Sequence, residues 1–385
     1  MKLVAIGDIH ANNWKDYSST LSVKWDEIRG RYVEVPEGDL STPMNSRLFN
    51  ILSGLADVRD YCVKNSIHLC LCAGDIFHTR GSVDTTVFNS VYRMFEAFQE
   101  VGIKVVMIAG NHDQANASIY AENSLYPFSG LNPVISTPKV VTHQEGDEVI
   151  EICCVPYSKD KQMVMGAIDH MLATKTSCDR ILLAHVGVSG GLVGSGNFVM
   201  SDEYNLMELR VPKFKYAVFG HYHKPQVLEY NTIYTGSLLQ NTFNDEGDDH
   251  GFWVLDTSRR YDMELVPLDY PQFITVTKDN AAAIKEQDVC CNFIRVQAAV
   301  KDAEDIMQAI HEAVEDESLV DSIRLEVERD YSADRTVRSG ITISMDTSTI
   351  LKTYVDEHND TGIDSKVLLE KGLELLFKTQ GGGAE

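Results

Sequence analysis

No stretch of this 385-residue chain has the roughly 18–20 consecutive apolar residues that a membrane helix needs, so no spanning helix is expected. The eight cysteines, Cys62, Cys70, Cys72, Cys153, Cys154, Cys178, Cys290 and Cys291, include no C-x-x-C pair. That argues against a zinc or disulfide framework, and most of them lie in apolar runs, as reduced and buried thiols do. Positive charge is also short: 34 Lys and Arg face 57 Asp and Glu, for a net charge of −23. General nucleic-acid binders draw affinity from neutralised phosphates. A nucleic-acid substrate would therefore need a local basic surface, bound divalent ions or a partner. Met1-Lys2 leads straight into an apolar run, with no signal or transit pattern, so a cytoplasmic protein is expected. The hydrophobic share, 44 %, is that of an ordinary globular protein, and the length allows a large core plus a smaller second domain.

What the chain does have is a repeated design. Val4-Ala5-Ile6 runs into Gly7-Asp8-Ile9-His10, and Leu69-Cys70-Leu71-Cys72-Ala73 into Gly74-Asp75-Ile76-Phe77-His78. Val105–Ala109 runs into Gly110-Asn111-His112-Asp113, Ile181–Ala184 ends at His185, and Ala217-Val218-Phe219 runs into Gly220-His221-Tyr222-His223. Each apolar run reads as a buried strand. In open α/β sheets, ligands bind at the carboxyl ends of the strands. Asp, Asn and His delivered there five times point to a metal site. A lone Gly-Asp or His would more simply be a turn or core residue.

The order of elements supports an α/β fold. Helical spacing covers 44–64 and recurs through Val87, Val91, Phe95 and Phe98, between strands at 2–6, 67–73 and 103–109. That β-α-β-α-β rhythm predicts a largely parallel sheet. Short strands follow from 226 to 266 and should form a mixed sheet. A boundary near Pro267–Pro271 precedes a small α+β unit with strands at 272–278, 292–300 and 321–328 and a helix at 303–314. Amphipathic helical patterns at 348–358 and 365–378 need an apolar surface, their own or a partner's. The segment 11–43 is long, polar and mixed with aromatics and bases: Trp14-Lys15, Lys24-Trp25 and Arg29-Gly30-Arg31-Tyr32. It reads equally as a substrate-contacting loop and as a surface insertion packed on the domain.

Two divalent ions about 3.5–4 Å apart can hold both oxygens of a phosphoryl transfer. Asp8 with His10 and His221 with His223 are each two apart, so each pair can approach an ion from one side. Asp75 suits a bridge, Asn111 offers oxygen, and His185 completes the set. His112 is then left for acid chemistry, with Asp113 expected to orient its imidazole.

These motifs, in this order, resemble the complete series of the calcineurin-like metallophosphoesterases. Gly74-Asp75-Ile76-Phe77-His78-Thr79-Arg80 resembles the SbcD-type nucleases, the phosphodiesterase subunits of double-strand-break repair complexes, which also occur in bacteriophage recombination systems. The resemblance implies a two-sheet α/β sandwich nuclease domain over 1–267, an α+β DNA-capping domain over 268–346, and a helical pair at 347–380 that binds an SMC-like coiled-coil ATPase. It also implies a homodimer. Asp8, His10, Asp75 and His223 would hold one ion, and Asp75, Asn111, His185 and His221 the other. Mn²⁺ is the usual ion, with Mg²⁺ the alternative. His112 would assist the phosphate transition state and His78 would orient the phosphate. Arg80, Lys24, Arg29 and Arg31 are the candidate substrate contacts. The function expected is a metal-dependent DNA exo/endonuclease. The alternatives are a small-molecule phosphodiesterase or phosphatase of the same superfamily and a non-catalytic DNA-end scaffold.

Overall fold

In the first strand, Lys2–Ile6, successive side chains leave opposite faces, and both faces are apolar. That pattern needs cover on both sides, and the computed structural model supplies it. It describes residues 1–36, 39–201, 203–259, 261–290, 292–299, 302–314 and 323–328, with 355, 366–369 and 371. The expected helices at 348–358 and 365–378 otherwise lie outside the described residues.

Two six-stranded sheets face each other. In the first, Lys2–Ile6 pairs in parallel with Leu69–Cys72, then come Lys104–Ile108 and Val134–Ile135. The hairpin Gly251–Asp256 and Asp262–Pro267 adds antiparallel strands on the other edge. In the second, Glu148–Val155, Asp179–His185, Tyr216–Gly220 and Thr232–Tyr234 run parallel. Lys139–Glu145 and Gln226–Glu229 are its antiparallel edges. The short strands expected to form one closing sheet are thus shared between two.

Alternation decides the layers. Leu3, Ala5, Leu69, Leu71, Val106 and Ile108 meet Ile150, Ile152, Ile181, Leu183 and Val218 between the sheets. Val4, Ile6, Cys70, Cys72, Val105 and Met107 face the helices Ser46–Lys64 and Thr85–Glu100. Leu182, Ala184, Ala217 and Phe219 face the helix Lys161–Ala173. The result is the two-sheet α/β sandwich that the sequence predicts. Asn45 and Asp84 start the first two helices by accepting from the N–H groups of Arg47 and Leu48 and of Thr86 and Val87. Five cysteines are buried and unbridged, Cys178 is half-buried and Cys290 is exposed. Among the described residues no helix is long and apolar enough to cross a membrane.

Of the two readings of segment 11–43, the described residues match the insertion packed on the domain, built around a small sheet. Thr20–Asp26 pairs with Arg31–Glu34 and with Thr42–Asn45. It packs on the helices: Val23 is buried, Arg93 lies 4.9 Å from the Trp25 ring centre, and Arg59 donates to the carbonyls of Arg29 and Gly30. The small α+β fold has Phe273–Val276 parallel to Phe293–Ala299, then Arg324–Glu328, and the helix Ala303–Ala313.

Leu183 is fully buried between the sheets. Leu183→Ala should lower unfolding stability by about 3 kcal/mol, read as a lower urea midpoint with an unchanged slope.

Candidate metal centre

All five motifs leave the carboxyl ends of parallel strands, and the two sheets bring those ends together. The turns are tight. Asp8, His10, Asp75 and His221 have φ values of 45°, 49°, 52° and 113°, in the left-handed region that residues with side chains rarely occupy. Gly110 permits the closest approach, since a Cβ there would lie 2.2 Å from Asp75 Oδ1. The Asp8 N–H donates to the Gly74 carbonyl and the His10 N–H to the Asp75 carbonyl, which lashes the first two motifs together. The His221 N–H donates to the Asp8 carboxylate at 3.1 Å, and the His112 N–H to Asp75 Oδ1 at 2.7 Å.

The ligand-type atoms converge. Those of Asp8, His10 and His223 lie within 4.8 Å of one another, as do those of Asp8, Asp75 and His185. Asp75 Oδ2 stands between, 3.7 Å from His10 Nε2 and 3.5 Å from His185 Nε2. Asn111 Oδ1 is 2.9 Å from both His185 Nε2 and His221 Nδ1. All seven expected ligands are therefore in one cluster.

These groups fit a cation. His185 Nδ1 lies 2.8 Å from the Ala73 carbonyl oxygen, which can only accept, so Nδ1 carries the proton. Burial holds His185 down to about 3, so its Nε2 is a bare lone pair aimed at two oxygen acceptors. Acceptor facing acceptor in a buried site lacks a positive centre. His10 Nε2 is likewise buried without a hydrogen-bond partner. Burial, then the charge of Asp75, raises Asp8 well above the carboxylate range, and burial lifts Asp75 to about 6. Burial, then His223, lowers His10, and burial, then His185, takes His221 to about 3. Crowded carboxylates and neutral imidazoles are what a divalent ion replaces protons in.

Beside the cluster, ligand-type atoms of His10, His78 and His112 also lie within 4.8 Å. His78 is stacked at 5.5 Å on His112 and lies 4.4 Å from the Trp14 ring. His112 Nδ1 is 2.5 Å from the His78 carbonyl oxygen. That carbonyl orients the imidazole, which corrects the expectation for Asp113. The Asp113 carboxylate accepts instead from the N–H groups of Ile76, Phe77 and Gly110, at 3.0, 3.1 and 3.0 Å. It pins the second motif to the third.

Arg80 is exposed, and its charge opposes the rise that burial imposes on Asp75 and adds last to the lowering of His221 by burial and its neighbouring histidines. The other candidate bases act elsewhere. Lys24 and Arg29 act on Asp26, and Arg31 is paired with Asp57 at 3.0 Å and Asp60 at 3.6 Å. Three residues that the sequence did not assign do reach the site. Trp14 walls His78. The buried Arg47 lies 4.5 Å from the Trp14 ring and its charge lowers His78. Asp245 accepts from the N–H groups of Asn241 and Thr242 and stands 3.9 Å from His223 Nδ1. Thr242-x-x-Asp245 reads in sequence as a capping box, which accounts for the cap and not for the approach to His223.

The family description for calcineurin-like phosphoesterases matches residues 1–225. The chain belongs to the calcineurin-like phosphoesterases. Members of this family are metal-dependent hydrolases, and two relatives share part of this one's sequence. The DNA double-strand break repair protein Mre11 of Methanocaldococcus jannaschii is 23 % identical over 62 % of this chain and 68 % of its own length. Exonuclease subunit 1 of Enterobacteria phage T4 is 23 % identical over 54 % of this chain and 58 % of its own. Solved structures with a loose likeness include a dimetal phosphatase from Danio rerio, with 9 % identity, 66 % of this chain and 91 % of that one, and a TM-score of 0.37. The Haemophilus influenzae NAD nucleotidase has 13 % identity, 69 % and 55 % coverage, and a TM-score of 0.35.

Asp113→Ala leaves three buried N–H groups without acceptors and should cost about 3 kcal/mol, whereas His112→Ala should change stability by under about 1 kcal/mol. Thermal melts in EDTA compare the two. Mn²⁺ at about a hundred times its dissociation constant should stabilise the wild-type chain by about 2.7 kcal/mol per site. EDTA should reverse the rise in Tm, and Asp75→Asn should diminish it.

Proposed function

We propose that this phosphoesterase is a two-metal DNA nuclease that hydrolyses backbone phosphodiesters in double-strand-break processing or recombination. One observation carries the reading: two further imidazoles, His78 and His112, stand against His10 at the border of a cluster of Asp and His ligand groups. The partial relatives, a double-strand break repair protein and a phage exonuclease subunit, support DNA as substrate.

Asp8, His10, Asp75 and His223 would bind one ion, and Asp75, Asn111, His185 and His221 the other. Mn²⁺ is the ion we favour for this mixed oxygen and nitrogen set. Two such ions supply Lewis-acid polarisation of the phosphate and a fixed in-line arrangement of its entering and leaving oxygens. His112, with Nδ1 engaged by the His78 carbonyl, has Nε2 for the phosphate and in its protonated form can donate to the departing oxygen. His78, held between the Trp14 and His112 rings, positions the phosphate, and Arg80 adds positive charge at the mouth. Asp113 acts on the reaction by holding two motif turns in place.

The same reading assigns 1–267 to the nuclease domain and 268–346 to a DNA-capping domain. It gives 347–380 to an SMC-like ATPase and makes the working unit a cytoplasmic homodimer.

The test is cutting of linear duplex and single-stranded DNA by the purified chain with Mn²⁺, Mg²⁺ or EDTA. Cutting should require the metal, and His112→Ala should reduce it by about 10²–10⁴-fold. Cleavage of a small chromogenic phosphodiester but not of DNA would transfer the reading to a small-molecule phosphodiesterase. DNA binding without hydrolysis of either substrate, and without any effect of His112→Ala, would point to a scaffold.

A further inference from the structure

A cavity of about 970 Å³ opens at the edge of the second sheet opposite the metal centre. The strand Asp179–His185 begins in its wall and ends in the metal cluster. Six residue steps of about 3.3 Å separate the two by about 20 Å.

The cavity's charge runs against that of the chain. Lys175, Arg180, Arg210, Lys213 and Lys215 line it, against Asp169 and Asp179. Three of these bases are held by neighbours. The buried Arg180 bonds to Glu151 at 2.7 Å and donates to the carbonyls of Leu172 and Thr174. Those carbonyls close the helix Lys161–Ala173, whose partial negative charge would otherwise repel an anion. Arg210 grips Asp169 through two bonds of 2.9 Å, and Lys215 meets Asp179 at 2.5 Å. Lys175 and Lys213 are exposed, and neither has an ion-pair partner among the described residues. Like charges gathered in one concavity focus a positive potential, which here stands in a chain of net charge −23. The hydroxyls of Thr174 and Thr176 and the ring of Tyr261 complete the wall.

We infer that this cavity is a second, metal-independent site for the phosphate groups of a nucleotide or of a nucleic-acid strand. Lys175 and Lys213 make the charged contacts, and the threonine hydroxyls donate to phosphate oxygens. The site needs no ion at the metal centre, so it stands or falls separately from the nuclease reading.

The experiment is fluorescence anisotropy of a labelled short single-stranded oligonucleotide with the full chain in EDTA, where no hydrolysis occurs. Lys175→Glu/Lys213→Glu, two exposed positions, should weaken binding by about tenfold or more. The neutral Lys175→Gln/Lys213→Gln should shift it less, in the same direction. Loss of two phosphate contacts should flatten the slope of log affinity against log salt by about 1.4. Displacement of the oligonucleotide by ADP or inorganic phosphate supports a free nucleotide as occupant, and resistance to both supports a strand backbone. Equal affinity of wild type and charge-reversed chain, or no binding of any of the three probes, overturns the site.

Discussion

The constraint behind the rest is crowding of like groups. Asp8 and Asp75 are buried side by side, and His10, His185, His221 and His223 are packed around them. Nothing in that set supplies positive charge without a proton or an ion. The fold holds the groups there against their repulsion, with four of the residues in left-handed backbone conformations that cost about 1–3 kcal/mol each. Such strain persists only where the surroundings over-determine it. Here the surroundings are two fully packed sheets whose parallel strands all end at one seam.

Backbone hydrogen bonds turn that seam into a frame. The Asp8 N–H reaches Gly74, the His10 N–H reaches Asp75, and the His221 N–H reaches Asp8, so the first, second and fifth motifs are tied directly. The third is tied through Asp113 and the N–H of His112, and the fourth through His185 Nδ1 on the Ala73 carbonyl. Asp8, Asp75 and His185 are each oriented by a main-chain group of a different motif. A displacement of one strand end would therefore be felt by several ligands, which gives a rigid cradle.

Around the frame, Arg47 connects parts distant in sequence. Its guanidinium donates to the carbonyls of Asp16 and Asn241 and lies 4.5, 5.1 and 5.3 Å from the rings of Trp14, Phe273 and Phe293. The early sheet, the first helix and the small α+β fold thus meet at one buried cation, and Trp14 carries that contact to His78. A route exists by which the α+β fold can bear on His78 and His112.

The sequence by itself determined the sandwich and which residues stand at its strand ends. Apolar runs buried on both faces demand cover on both faces, and five strand ends that each deliver Asp, Asn or His point to one shared site. The tertiary structure decided which neighbour each of these residues has. Asp113 sits beside His112 in sequence, yet the turn points its carboxylate at the N–H groups of Ile76, Phe77 and Gly110, because buried donors must be satisfied. Segment 11–43 read equally as a substrate-contacting loop and as a packed insertion because its strands are short and only partly buried, with Val23 the fully buried exception in Thr20–Asp26. Their apolar partners are helices far along the chain, which periodicity within a window cannot see. The same holds for the basic cavity. Its residues come from the end of one helix, one strand start and the 210–215 stretch, and no local charge run announces it.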